Sequence, residues 1–233
     1  MSAPAVPALH LRDVDVRLGD ADVLSGVSID LDARTIAVVG ENGSGKSTFA
    51  RLLGGLVART AGELRVLGLD PARQAAELRR RTALVFSNPD AQIVMPTVAE
   101  DVAFSLRSER LPAAAVGARV AAALDRFGLS ALADRPSHDL SGGQKQLLAL
   151  CGAFVRDPEL VVADEPTAYL DARNARRVAG HLFEDAGHRL VLVTHDLALA
   201  GRCDAAVLFA GGTIAAVGTP SDVIAEYEAI LRC

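Results

Sequence analysis

With 233 residues, half of them hydrophobic, the chain is long enough to form one compact unit with its own core. Its 24 Lys and Arg against 29 Asp and Glu give a formal net charge of −5, which rules out the broadly basic surface that non-specific nucleic-acid binding needs. The three cysteines, Cys151, Cys203 and Cys233, form no C-x-x-C pair. They argue against a disulfide scaffold or a structural zinc site and fit a reducing compartment. The opening MSAPAVPALHLR has no basic segment followed by an apolar one, so no secretory leader is expected. The longest uncharged stretch, 205–221, is interrupted by Gly211, Gly212, Gly218 and Pro220 and falls short of the ~20 apolar residues of a membrane span.

In chain order, alternating apolar positions come first: Leu9/Leu11, Val14/Val16/Leu18 and Val27/Ile29/Leu31. They predict an N-terminal layer of half-buried antiparallel strands, with Gly19 and Asp20 as a turn between the second run and the third. Residues 36–39 are continuously apolar, as in a strand buried on both faces of a parallel sheet, and similar runs recur at 83–86, 160–163 and 190–193. Helical stretches rich in Ala, Leu and Arg separate them, so the centre reads as βα units. From Pro89 to Val155 the pattern is helical only, with 113–127 dense in alanine, which predicts a helical insertion. Two short strands at 206–209 and 213–217 then meet at Gly211-Gly212, and a closing helix begins near Ser221, whose hydroxyl can cap it.

The first chemical motif follows the strand ending at Val39. Gly40-Glu41-Asn42-Gly43-Ser44-Gly45-Lys46-Ser47-Thr48 satisfies G-x-x-x-x-G-K-[ST] in a strand, loop, helix context. A phosphate needs a concave row of bare backbone N–H groups opening at a helix N-terminus, and glycines at 40, 43 and 45 leave that row unobstructed. Lys46 supplies full charge for the β- and γ-phosphates, and the Ser47 hydroxyl can ligate Mg²⁺. The motif predicts a nucleotide site without naming the reaction.

Asp164 ends the buried run 160–163 and so emerges at the carboxyl edge of the sheet, placed to hold Mg²⁺. Glu165 beside it is a candidate general base for the water that attacks the γ-phosphate. His195 also follows a buried strand and can donate to the γ-phosphate or orient the water, whereas His10, His138, His181 and His188 read as packing or surface residues. Ser141-Gly142-Gly143-Gln144 opens another helix, with Ser141 as N-cap and bare amides at the glycines, and so forms a second anion site. If the helical insertion projects away from the sheet, that site faces a nucleotide bound to another copy.

Leu140-Ser141-Gly142-Gly143-Gln144 ahead of Val161-Val162-Ala163-Asp164-Glu165-Pro166-Thr167-Ala168-Tyr169-Leu170-Asp171, with the phosphate loop upstream and His195 downstream, resembles the ATP-binding-cassette ATPases. The match covers essentially the whole chain. The separations of 23 residues from Ser141 to Asp164 and 30 from Glu165 to His195 also resemble that family's spacing. The resemblance implies a RecA-like P-loop NTPase core in an α/β fold, with a parallel sheet, an antiparallel β-layer and an inserted helical subdomain. One ATPase domain would span 1–233, with 1–88 and 156–233 as nucleotide-binding core and β-layer, and 89–155 as the helical signature subdomain. It further implies ATP and Mg²⁺ as ligands and a head-to-tail pair of ATPase subunits, with two identical chains expected. Asp171 would lie in the loop that couples the two sites.

Val85-Phe86-Ser87-Asn88-Pro89-Asp90-Ala91-Gln92 and Thr97-Val98-Ala99-Glu100-Asp101-Val102-Ala103-Phe104 are similar to stretches of energy-coupling-factor importers. That similarity implies a motor for uptake of a vitamin or transition-metal ion, working with a transmembrane coupling protein and a substrate-binding membrane protein at the cytoplasmic face of the membrane. A chain stopping at Cys233 favours biotin. The alternatives are the ATPase of another importer class, or a soluble nucleotide-regulated module with slow hydrolysis. Two positions depart from the family: Ser87 stands where a glutamine normally reaches Mg²⁺ and the water, and Leu18 where an aromatic normally stacks on adenine. Ser87 remains a candidate metal contact through a bridging water, and Leu18 predicts a relaxed base preference.

Overall fold

The computed structural model describes residues 7–184 and 187–232; residues 1–6, where a leader would begin, and Cys233 lie outside the described residues. The strands and α-helices in order are β1 Leu9–Leu18, β2 Ala21–Leu31, β3 Thr35–Gly40, α1 Lys46–Leu53, β4 Ala61–Val66, α2 Ala75–Arg81, β5 Thr82–Val85, α3 Val98–Ser105, α4 Ala113–Arg126, α5 Gly142–Phe154, β6 Leu160–Asp164, α6 Ala172–Phe183, β7 Arg189–Val193, α7 Leu197–Ala200, β8 Ala205–Ala210, β9 Thr213–Gly218 and α8 Pro220–Ile230. They fall into two compact units. The first takes the chain up to Thr82, Leu160–Asp164 and the residues from Arg189 onward; the second takes Ala83–Glu159 and Glu165–His188.

In the first unit, β2, β1 and β4 form an antiparallel sheet in that order. A second sheet sets β6, β7, β3 and β8 in parallel and ends with β9 antiparallel to β8. Every residue of β3 and of β6 is buried, as their unbroken apolar runs require of central parallel strands. Phe49 of α1 lies 5.0 Å from the ring of Phe209 in β8, a tilted pair that fixes the first helix after the phosphate loop onto the sheet.

The second unit is helical apart from β5. Three of its helices, α3, α5 and α6, begin at a side-chain cap. Thr97 and Glu100 form a reciprocal capping box at α3, Ser141 and Gln144 form another at α5, and the Asp171 carboxylate accepts from the Arg173 and Asn174 amides at α6. Between α4, α5 and α6 the rings of Phe127, Phe154, His181 and His188 cluster, with the Arg126 guanidinium over Phe127 and Phe154. His188 is buried against the Leu182 carbonyl at 3.0 Å, and the His138 side chain is exposed.

The structure changes three of the sequence expectations. The first two apolar runs are one strand, β1, whose register with β2 shifts between Leu11 and Val14, where Asp13 takes a left-handed backbone (φ 47°). The antiparallel sheet has a third member, β4, unnoticed because only Leu64 and Val66 of its six residues are buried. Helix α8 is capped by Thr219 rather than Ser221: Pro220 occupies the first helical position, and the Thr219 hydroxyl accepts from the Asp222 amide. The expected terminal strands match the hairpin β8–β9, joined through Gly211 and Gly212.

Candidate nucleotide site

The phosphate loop in the first unit is shaped by steric demand. Gly40 closes β3 at φ 143°, and a Cβ there would lie 2.2 Å from the Phe209 carbonyl oxygen. Gly45 starts α1 at φ 104°, where a Cβ would lie 2.7 Å from Leu24 Cδ2. Gly43 has open space around it but takes φ 80°, a conformation side chains disfavour. The hairpin glycine Gly212, expected only to turn the chain, also holds the loop: its N–H donates to the Ser44 carbonyl at 3.1 Å and its carbonyl accepts from Ser25 at 3.0 Å. A Cβ at Gly212 would lie 2.6 Å from the Val23 carbonyl oxygen.

Lys46 is only 5% exposed, and its ammonium donates to the Gly40 and Glu41 carbonyls at 2.7 Å each, lying across the loop. Glu41, Asn42 and Gly43 are exposed, while Ser44 and Thr48 are buried. The buried Ser44 hydroxyl makes no hydrogen bond among the described residues. Ser47 Oγ donates to Asp164 Oδ1 at 3.1 Å, joining residues 117 apart in sequence. Asp164 ends β6 opposite Val193 of β7, and two residues on stands His195, exposed at the same carboxyl edge. The preceding Thr194 N–H donates to the Val38 carbonyl of β3 at 3.2 Å, which places the end of β7 beside the start of the phosphate loop. The first unit therefore brings Gly40 to Thr48, Asp164 and His195 to one sheet edge.

The donors present suit the ligands that the motifs imply. An unsatisfied buried hydroxyl, a lysine and bare amides at a helix start fit a phosphate chain. A hydroxyl and one carboxylate fit Mg²⁺, which takes few protein ligands and completes its shell from phosphate and water. The described residues contain no cluster of three or more His, Cys, Asp or Glu that could hold a metal ion.

The second unit carries Ser87, Ser141 to Gln144, Glu165 and Asp171. Half-buried Ser87 follows β5 in a tethered segment: Gln92 accepts from the Phe86 amide and donates to the Leu84 carbonyl, both at 2.8 Å, and Gln146 of α5 donates to the Phe86 carbonyl at 3.1 Å. Lys145 of α5 pairs with Asp90 at 2.7 Å. At α5, Ser141 and Gly142 are exposed. Glu165, next in the chain after Asp164, is half-buried and takes a left-handed backbone (φ 51°), the kind of strain that accumulates at functional loops. Tyr169 in the same loop is also left-handed (φ 62°) and 98% exposed. The Asp171 carboxyl is held below the usual carboxylate range, chiefly by the Asn174 backbone N–H. Sequence reasoning missed Gly212, which a Gly-Gly pair marks only as a turn, and Asn174, for which no motif exists.

A family model described as ABC transporter matches residues 24–168. The chain is 45% identical to a putative ABC transporter ATP-binding protein of Deinococcus radiodurans, over 94% of this chain and 97% of that one. It is 43% identical to the energy-coupling factor transporter ATP-binding protein EcfA1 of Symbiobacterium thermophilum, over 98% and 77% of the two chains. Identity to the biotin transport ATP-binding protein BioM of Rhizobium etli is 36%, over 95% and 98%. Among solved structures it resembles cbiO1 of Clostridium perfringens, described as part of the ABC transporter complex cbiONQ, with a TM-score of 0.83 and 30% identity over 97% and 94%. With the phosphate loop, the acid at the end of β6 and the capped signature helix in place, the chain belongs to the ABC transporter family and is one of its ATPase domains.

Proposed function

We propose that this chain is the ATP-hydrolysing motor of an energy-coupling-factor importer, with biotin as the first candidate solute and a transition-metal ion as the second. It would work as a head-to-tail pair of copies on the cytoplasmic face of a membrane, with a transmembrane coupling protein and a substrate-binding membrane protein. The observation that carries the ATPase chemistry is the Ser47 to Asp164 contact at 3.1 Å, at the mouth of the loop that Lys46 crosses. The importer class is supported by the names of relatives at 43% and 36% identity, the second of which is a biotin transport protein.

In this reading Lys46 exchanges its two carbonyl partners for the β- and γ-phosphates of ATP, and the amides of Gly43 to Thr48 cradle the chain of phosphates. Mg²⁺, held by Ser47 and Asp164, would neutralise charge on the phosphates. Glu165 accepts the proton of the attacking water, and His195 donates to the γ-phosphate. Ser141 to Gln144 of one copy close the other copy's pocket, and Asp171 links the two. Ser87 reaches the water through a bridging water. A cleft of about 540 Å³ in the second unit, lined by Gln92, Val94, Asp101, Phe104, Arg107 and Arg156, is the face offered to the coupling protein.

No helix of the described residues is long and apolar enough to cross a membrane, so uptake in this scheme requires separate membrane subunits. Co-expression with an energy-coupling-factor coupling protein and a biotin-binding membrane protein tests the assignment. The account predicts a detergent-stable complex with ATP-dependent uptake of labelled biotin, lost in Lys46→Ala. A complex that moves cobalt or nickel ions instead would overturn the biotin choice, and failure to form any complex would overturn the importer reading.

A further inference from the structure

The signature turn rests on a side chain to which no motif assigns a role. Gly142 has nothing within 4 Å of the position a Cβ would take, but a Cβ on buried Gly143 would sit 2.4, 2.5 and 2.8 Å from Cγ, Nδ2 and Oδ1 of Asn174. The Asn174 amide therefore occupies the space that a side chain at position 143 would take. Swinging it aside breaks a hydrogen bond, because Nδ2 donates to Asp171 Oδ2 at 2.8 Å while Asp171 Oδ1 accepts from the Asn174 and Arg173 amides at 2.8 and 2.9 Å. One carboxylate thus caps α6 and clamps the amide that presses on the start of α5. The loop from Glu165 to Asp171 and the turn from Ser141 to Gln144 are joined through this one side chain, within the second unit.

We infer that Asn174 is a positioning residue that sets the signature turn against the Asp171 loop, and that position 143 lacks a side chain to make room for it. The inference rests on the proposed role of Ser141 to Gln144 only for its effect on turnover; the clamp itself is a property of the single chain. An alanine at 143 has to displace Asn174 and break its bond to Asp171, whereas the same alanine fits the space left when Asn174 is cut back to alanine. Contacting residues of this kind couple non-additively.

The test is a double-mutant cycle on the full chain in its membrane assembly, read by ATP turnover, with amide hydrogen exchange on the isolated chain as a second readout. Asn174→Ala is expected to speed exchange of the Gln144 and Lys145 amides, which Ser141 accepts from, about fivefold or more and to lower kcat several-fold, leaving the KM for ATP unchanged. Asn174→Asp keeps the shape but cannot donate to Asp171, and it is expected to behave like the alanine variant. Gly143→Ala is expected to cost about tenfold or more in turnover alone but less than about twofold in the Asn174→Ala background. Equal Gly143→Ala costs in both backgrounds, or unchanged exchange in Asn174→Ala, overturn the inference. A wild-type assembly that hydrolyses no ATP contradicts the proposed function instead, and the exchange readout still decides on the clamp.

Discussion

Leu18 is 42% exposed at the end of β1, paired with Ala21 across the turn into β2. An aliphatic side chain gives a base an apolar surface but no π-face, and stacking on an aromatic contributes about 1–3 kcal/mol per base. Wild-type protein is therefore expected to hydrolyse ATP and GTP with similar kcat/KM. Leu18→Tyr should lower the KM for ATP and for GTP alike, by about tenfold. A strong ATP preference in the wild type would contradict this. At Ser87, restoring glutamine is expected to raise turnover by removing the need for a bridging water; unchanged hydrolysis and uptake would mark the position as neutral. At this scale the phosphate loop was legible because its backbone tolerates so few residues: Gly40 and Gly45 have no room for a Cβ. Asn174 was not legible, since its role arises from a contact between helices 31 residues apart in sequence from Gly143.

Helix α6 packs its His181 ring 4.2 Å from Phe127, beyond the end of α4, with Arg126, Arg177 and Glu184 as the charged groups acting on it. Burial, reinforced by Arg126 and Arg177, pushes the imidazole pKa below its usual 6.5. The unfolded chain then binds the proton more readily than the folded one. Stability is fully present above 6.5 and falls as pH drops below it. His181→Phe is expected to flatten the pH dependence of the urea midpoint between about pH 7.5 and 5.5, and an unchanged slope would assign the acid sensitivity elsewhere. Elements with strong periodicity or full burial, such as β3, β6 and α4, were readable from sequence. Strand β4 was not, because its Gly-Glu-Leu-Arg-Val buries only alternate residues over too short a span, and β1 read as two strands because the bulge at Asp13 interrupts its alternation.

Over the whole molecule, the proposed engine depends on two copies clasping nucleotide, each lending its signature turn to the other's phosphate loop. Closure should be nucleotide-dependent: binding that contacts both copies stabilises the pair by mass action, and hydrolysis releases it. The order of motifs along the chain made the family readable, whereas the contact of Asn174 with the signature turn became visible only in three dimensions. The most direct test is the oligomeric state of Glu165→Gln, which retains the phosphate loop, Ser47 and Asp164 but lacks the proposed base. In saturating ATP and Mg²⁺ it is expected to run as a dimer by light scattering and to return to a monomer when ATP is removed or when Lys46→Ala is added. A monomer at nucleotide concentrations that saturate binding would contradict the account.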